Sequence, residues 1–557
     1  MAVYLGGNEV GFNTTHGGIV PSGTSTITEN GIYDVTNFAS ANVSVAGFTA
    51  DDIAMRKISG VMSGSASFIA PSTFYDQSMI TEVNFPNVTT LYSSTFYGCR
   101  SLITANFPSV TYMYADAFYE CYSLNSISCP NLTNVGSSAF ARCFNLATID
   151  FPNVTYINNN AFSYCYSLTA VDFPNVTTIS SNAFNNCYSL SSINCPNVTR
   201  IGDYAFASCG LTSIEFSNVS FGTGVFINCE SLKTASLSTL SSIPSLFFQR
   251  CTSLESVYCP SVSRIGSSAF YYCTKLSSIS FSTVSRIEAG TFMGCSTLIY
   301  ASFLSVGIIN SAAFNGAFKS EASIYFPSVS IIYSYAFENC GLSSVYFPSL
   351  TSLYAVAFYN CSYLETVDFP ILSGVASSTF ASCYKLKSIN MPSCKFISSN
   401  AFGYCSALSI VDFPNVSTIG AGAFAFCVSL TDINFPSATT VSSYAFGYCT
   451  NLKSINLPNV TTIGPTAFQN CGNLSIVSLP KISSFGNGAF YWCSNLFSVY
   501  LLGSSVPSYG MEPFTYTPIT SSTFDGSWGS IFVPSSLYDS YLVANGWSSL
   551  ADRIVSV

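Results

Sequence analysis

The chain has a single histidine, His16, among its 557 residues. His16 sits in a Gly/Thr-rich segment, so no Ser–His or Cys–His dyad is expected in the regular part of the chain. Basic residues are also scarce: 17 Lys and Arg face 26 Asp and Glu, for a net charge of −9. No basic cluster exists to neutralise phosphates, which excludes a nucleic-acid partner. Long apolar runs are missing as well. Ser, Thr, Asn or Pro interrupts every one well before eighteen residues, so no membrane-spanning helix is expected. Glycine-rich phosphate loops are absent, since glycines such as Gly202, Gly266 and Gly420 recur singly at turns. The first residues, Met1 to Asn8, have neither a basic segment nor an apolar one, and no signal peptide is expected. With charge at 8% of residues, the surface must be built from neutral polar groups: Ser, Thr, Asn and Tyr.

What is abundant is repetition. A phenylalanine, usually preceded by Ala or Thr, recurs about twenty times from Phe74 to Phe490. Nearly every step is 22 residues, with small departures around Phe226 and Phe337. A cysteine usually follows three residues later. A fixed period in this range, with regularly placed Leu and Ile, marks a stacked coil. One unit runs from Leu168 to Cys187. Alternation turns Val171 and Phe173 inward and Asp172 outward, as in a short strand. Pro174 ends that strand because it cannot donate to a continuing ladder. Val176 and Ile179 point inward again, and Ala183, Phe184 and Cys187 close the turn on a short 3₁₀ or helical segment. The fold expected is a leucine-rich repeat solenoid of about twenty 22-residue rungs, each with one short parallel strand. Residues 1–48 form an N-terminal β module, 49–502 the solenoid and 503–557 a C-terminal cap. In the cap, Trp528 to Pro534 reads as a last strand. Ser535 or Ser536 is placed to cap a helix near Leu537–Ala544, stopped by Asn545-Gly546.

The 22 cysteines invite a chemical reading as disulfides or a metal array. Their positions favour a plainer one. Eighteen occupy the position three after the anchor, from Cys99 to Cys295 and from Cys340 to Cys493. Cys129, Cys195 and Cys259 replace the Phe of a Phe-Pro pair, and Cys394 replaces the Val after it. Every one stands where the repeat otherwise has an apolar residue. Gln77 and Ala317 fill the same column without compensation, and Cys-x-x-Cys pairs are absent. The cysteines therefore read as a column of small buried hydrophobes, and no metal or cofactor is expected. Reduced thiols suit folding in a cytosol.

Three segments carry a resemblance: Leu-x-x-Ile-x-Phe-Pro, Val-Thr-x-Ile-Gly and Ala-Phe-x-x-Cys. Together they resemble the leucine-rich repeats of BspA-like bacterial surface proteins and the Treponema pallidum-type repeats, from near Ile53 to near Leu502. The resemblance implies adhesion and protein or glycan binding, with no catalysis. Upstream, Thr24 to Val45 reads as two short strands around Asn30-Gly31. This segment resembles small β modules of tail- and baseplate-associated proteins of Firmicutes phages and prophages; a cap on the first rung is compatible with it. The two resemblances imply a tail-associated receptor-binding protein of a virion, assembled in a bacterial cytoplasm. It would meet other virion proteins through residues 1–48 and a cell-surface protein or glycan through the solenoid, with oligomerisation left open. The alternative is a bacterial surface adhesin at the cell surface.

Binding residues are sought on outward columns. The position before Phe-Pro is Asn or Asp in most rungs, as at Asn84, Asn106, Asp150, Asp172 and Asn194. An exposed ladder of hydrogen-bonded Asn and Asp is the expectation, with a cation between Asp150 and Asp172 as the alternative. In the middle of the chain this column changes to Tyr258, Ser280, Ser302, Tyr325 and Tyr346, with Tyr300 two residues earlier in its rung. Rigid amphipathic tyrosines suit a binding surface, so Tyr258, Tyr300, Tyr325 and Tyr346 are the primary candidates. Secondary candidates flank the cysteines: Tyr122, Tyr166 and Tyr188 after them, and Tyr404, Tyr448 and Trp492 before them. Asn-x-Thr triplets such as those at Asn153 and Asn175 fall at one turn of each rung and read as turn residues.

Overall fold

The computed structural model describes residues 67–69, 71–521 and 526–557, with short strand segments at 3–5, 8–10, 12–13, 20–21, 33–34 and 59–63. His16 and the turn expected at Asn30-Gly31 lie outside the described residues. The chain divides into two units, Met1–Val262 with Ala269–Lys275, and Ser263–Ser268 with Leu276–Val557. Each is a parallel-strand solenoid, and the two carry about 21 turns with almost no helix.

In the first unit, Ala170–Asp172 pairs in parallel with Ser192–Asn194, in the register Val171↔Ile193 and Asp172↔Asn194. Partners are 22 residues apart, so the sequence period and the ladder register coincide. Val171 is buried while Ala170 and Asp172 are exposed. A slip of one residue would exchange them, so the pattern pins the register. Each rung adds a second strand of two residues to the one expected. Thr178–Ile179 is one of these, in a seven-stranded ladder from Thr90–Leu91 to Ser220–Phe221. The second unit repeats the design. Ile410–Asp412 pairs with Asp432–Asn434, and a six-stranded ladder runs from Gly374–Val375 to Ser484–Phe485.

The anchor phenylalanines form the spine of each core. Phe162, Phe184 and Phe206 are fully buried, with ring centroids 5.2 and 5.3 Å apart and planes within 5°. Phe424, Phe446 and Phe468 repeat this in the second unit at 5.3 and 5.2 Å. The turn that holds them is not helical, contrary to expectation. Asn182 and Asn186 adopt left-handed backbone, φ 57° and 63°. Alternate residues then aim their N–H groups along the stack: Asn182, Phe184 and Asn186 donate to the carbonyls of Asp203, Ala205 and Ala207, each at 2.8 Å. A helix would spend those donors on its own chain; here they join one rung to the next. Asn and Gly recur at these positions because they tolerate positive φ.

All 22 cysteines are free and buried. The column thiols also have a polar role that the sequence does not display. Cys187 Sγ donates to the carbonyl of Phe162 in the preceding rung at 3.1 Å, and Cys427 Sγ donates to Phe402 at 3.2 Å. Where Gln77 replaces cysteine, its Oε1 is buried without a partner.

The C-terminal cap contains one more anchor. Phe514 stacks on Phe490 at 5.6 Å, and Phe490 N–H donates to the carbonyl of Pro513. The step of 24 residues and Thr517 in place of cysteine conceal it in the sequence. The strand expected after Trp528 is Ser530–Val533, paired with Ser498–Tyr500 and with a final strand, Ile554–Ser556. The helix runs from Tyr538 to Val543, after a 3₁₀ turn at Ser535–Leu537, but no serine caps it. Instead, Ser535 Oγ donates to the carbonyl of Val557, just beyond the last strand.

Candidate functional site

The primary tyrosines are all exposed. Tyr258 ends the strand Ser256–Tyr258 of the first unit. Tyr300, Tyr325 and Tyr346 belong to the second unit. Tyr300–Phe303 pairs with Ser323–Tyr325 in the register Tyr300↔Ser323 and Ser302↔Tyr325. Tyr300 and Tyr325 therefore stand on neighbouring strands, two positions apart. Ser302, between Ser280 and Tyr325 in register, is buried rather than outward-facing. Tyr346 ends a strand that pairs with Thr366–Asp368, in a separate sheet. No ring–ring contact involves any of the four among the described residues.

The secondary candidates behave differently. Tyr122, Phe144, Tyr166 and Tyr188 form a continuous stack, with centroid spacings of 4.8, 4.9 and 5.3 Å. Tyr404, Phe426 and Tyr448 form another, at 4.5 and 4.7 Å. Trp492 is apart from them, tilted against Tyr516 at 5.0 Å. Tyr404, Tyr448 and Trp492 occupy the left-handed turn position. Stacked rings cover one another's faces, so most of these residues present edges. Tyr188 is the exception. The next rung passes directly from Cys209 through Gly210 to Leu211, one residue short, and offers no ring to cover it. Tyr188 stays 57% exposed, the most of its stack. A Cβ on Gly210 would come within 2.3 Å of the Tyr188 carbonyl oxygen.

Two features of this edge escaped sequence reasoning. The first is a stack of Tyr75, Tyr97 and Tyr119, directly after their anchors, at 4.7 and 4.9 Å. Glu120 pairs with Arg100 at 3.3 Å and with Arg142 at 3.0 Å, and both guanidiniums lie over tyrosine rings. The 22-residue recurrence of the tyrosines was the available signal. The second is a groove of about 630 Å³ that runs from Thr81 to Ser167. Two columns line it. Ser101, Ser123, Asn145 and Ser167 each follow the post-cysteine residue, and Thr81, Ile103, Asn125 and Ala147 stand at the entry to the strands. The first column is wholly polar; the second alternates polar and apolar. Their backbone groups are engaged between rungs, as where Asn125 N–H donates to Ile103 and Ala147 N–H to Asn125. Their side-chain hydroxyls and amides have no partner among the described residues. Elsewhere the entry column bonds to itself: Ser191 Oγ donates to Thr169, Thr431 to Ser409 and Ser475 to Lys453, at 3.1–3.2 Å.

The Asn/Asp column forms the expected ladder. Asn106 donates to Asn84 at 2.9 Å; Asn194 donates to Asp172, and Asn390 to Asp368, both at 2.8 Å. Asp150 and Asp172 end strands of different sheets, and Asp172 is engaged by Asn194. Among the described residues no group of three or more His, Cys, Asp and Glu is placed to hold a metal ion. The turn asparagines are structural: Asn153 and Asn175 donate to the carbonyls of Pro130 and Pro152 at 2.9 Å. No helix among the described residues is long and apolar enough to cross a membrane.

Repeats of this geometry, with Phe anchors and parallel rungs, define a leucine-rich repeat protein. The model of the BspA type leucine rich repeat region matches residues 67–191, 177–299, 221–331, 307–427 and 417–536, and the chain belongs to that family. No curated protein matches by sequence. Among solved structures, the chain is similar to a leucine-rich repeat protein from Bacteroides ovatus, at 22% identity and a TM-score of 0.36, covering 85% of this chain and 94% of that one. A leucine rich cell surface protein from Faecalibacterium prausnitzii is similar at 20% identity and a TM-score of 0.24, covering 91% and 95%. A leucine-rich repeat protein of T. pallidum matches at 20% identity and a TM-score of 0.22, covering 41% and 86%.

Proposed function

We propose that this chain is a non-catalytic recognition protein that binds a cell-surface protein or glycan through the outward columns of its rungs. One observation carries the reading. Inward columns and turns are engaged between rungs, whereas Tyr258 in the first unit and Tyr300, Tyr325 and Tyr346 in the second are exposed without ring partners. A tyrosine adds nothing to the stack from such a position, but it offers a rigid amphipathic contact at small entropic cost. Membership of a repeat family built on extended binding surfaces supports the same conclusion.

The finer setting is a tail-associated receptor-binding protein, with residues 1–48 joining it to other virion proteins. Only the sequence of Thr24 to Val45 supports this, and most of that segment lies outside the described residues. The alternative is an adhesin displayed on a bacterial surface; a leucine rich cell surface protein is among the similar structures. Gene neighbourhood separates the two: tail genes against secretion or wall-anchoring genes. The recognition reading is tested by flow cytometry of the labelled full chain on bacterial and animal cells. Saturable staining that falls at least tenfold with Tyr300→Ala, Tyr325→Ala and Tyr346→Ala combined supports a site in the second unit. Saturable staining unchanged by that variant and by Tyr258→Ala moves recognition off the tyrosines, and the absence of saturable staining refutes it.

A further inference from the structure

We infer that the groove of the first unit binds a neutral, linear, β-linked glycan lying along the stack. This rests on the recognition reading above and names a ligand class for a site the tyrosine columns do not include. Three observations carry it.

The groove runs across five successive rungs, from Thr81 to Ser167. Its hydroxyls and amides therefore recur once per rung, at about 5 Å, over about 20 Å. One pyranose unit of an extended β-linked chain advances by about one rung. An extended peptide presents like-facing side chains every two residues, about 6.6 Å, and drifts out of step within three rungs. Second, the two lining columns match an amphipathic ring. Ser123 and Asn145 stand on the polar column, while Ile103 and Ala147 interrupt the other with apolar surface. A pyranose has hydroxyls at its rim and C–H groups on its faces, so both columns find complements. Third, the polar side chains are unspent. An exposed entry column that bonds to itself, as Ser191 does to Thr169, has little to offer a ligand; Asn125 and Asn145 keep their full donor and acceptor capacity.

Charge excludes the acidic alternative. No ionisable residue lines the groove. Nearby, Arg100 and Arg142 are both engaged by Glu120, and the whole chain carries −9. An anionic polymer would be repelled.

Isothermal titration of the full chain with cellohexaose, hexa-N-acetylchitohexaose and maltohexaose tests the proposal. At least one β-linked hexasaccharide binds, at least tenfold tighter than its disaccharide and tighter than the α-linked maltohexaose. Salt leaves the affinity unchanged. Asn125→Ala with Asn145→Ala weakens it at least tenfold, while hydrogen exchange shows the fold intact. Failure of both β-linked probes, preference for maltohexaose, or binding indifferent to the double variant overturns the proposal. Cell staining separates this failure from that of the broader reading. A chain that stains cells but binds neither β-linked probe loses the glycan groove and keeps recognition.

Discussion

Replacing Phe184 by alanine removes the centre of a three-ring stack in a fully buried site. Phe→Ala in a close-packed core costs about 3–5 kcal/mol. Phe184 belongs at the upper end, because the ring loses two parallel neighbours at 5.2 and 5.3 Å and the rung cannot collapse without breaking register. In a solenoid that cost is local. Each rung contacts only its neighbours, so stability is a sum of rung and interface terms. A single melting transition is not a well-defined measure for a long repeat array. The suitable assay is hydrogen exchange resolved by mass spectrometry. A loss of 3–5 kcal/mol lowers protection by roughly two to three and a half powers of ten. The loss is expected in peptides covering the rungs of Phe162, Phe184 and Phe206, with peptides around Phe96 near wild type. A fall below about 1 kcal/mol would refute the packing argument. Equal loss across the whole first unit would refute the nearest-neighbour argument.

Other outcomes follow from the same geometry. Burial raises the thiol of Cys394 to about 11 and those of Cys259 and Cys427 to about 12. Each is an acid whose folded pKa exceeds its unfolded one, so the stabilisation is complete below about pH 9 and lost as pH rises towards 11–12. Each such thiol removes about 1.4 kcal/mol per pH unit in that window; urea titrations at pH 8 and pH 10.5 should show the decline, and equal midpoints would contradict it. Native protein should leave all 22 thiols unreacted with a thiol reagent at pH 8 and expose them on unfolding; fast native labelling of column cysteines would contradict their burial. Gly210→Ala drives a methyl into the Tyr188 carbonyl and should cost about 1–3 kcal/mol locally, read as exchange between residues 188 and 211. Tyr325→Ala and Tyr346→Ala should change stability by less than about 0.5 kcal/mol, since neither ring has a partner.

The period of 22 was legible because ladder register and sequence repeat are the same quantity. Each inward position recurs on one column, as Val171 and Ile193 do. The inward placement of the cysteines was legible for the same reason, but their bonds to phenylalanine carbonyls were not. Periodicity reports burial, not donors. The turn was misread as helical because Ala-Phe-x-x-Cys has a spacing a helix also satisfies. The left-handed Asn182 and Asn186 are visible in sequence only as turn-tolerant residues. Phe514 was hidden by a step of 24 and the loss of its cysteine. The groove was the least legible feature. Its side chains, Ser123, Asn125 and Asn145, are ordinary surface types, and only the absence of bonds between them distinguishes them. The tyrosine column was readable as exposed. The breaks in strand pairing, such as that before Ser344–Tyr346, leave no mark in the repeat.

The central claim is that folding and recognition use opposite sides of the same rungs. It is tested most directly by cell-surface binding of a chain carrying Asn125→Ala, Asn145→Ala, Tyr325→Ala and Tyr346→Ala together. The account predicts wild-type hydrogen exchange with binding at least tenfold weaker. Wild-type binding by this variant, or loss of the fold, would contradict it.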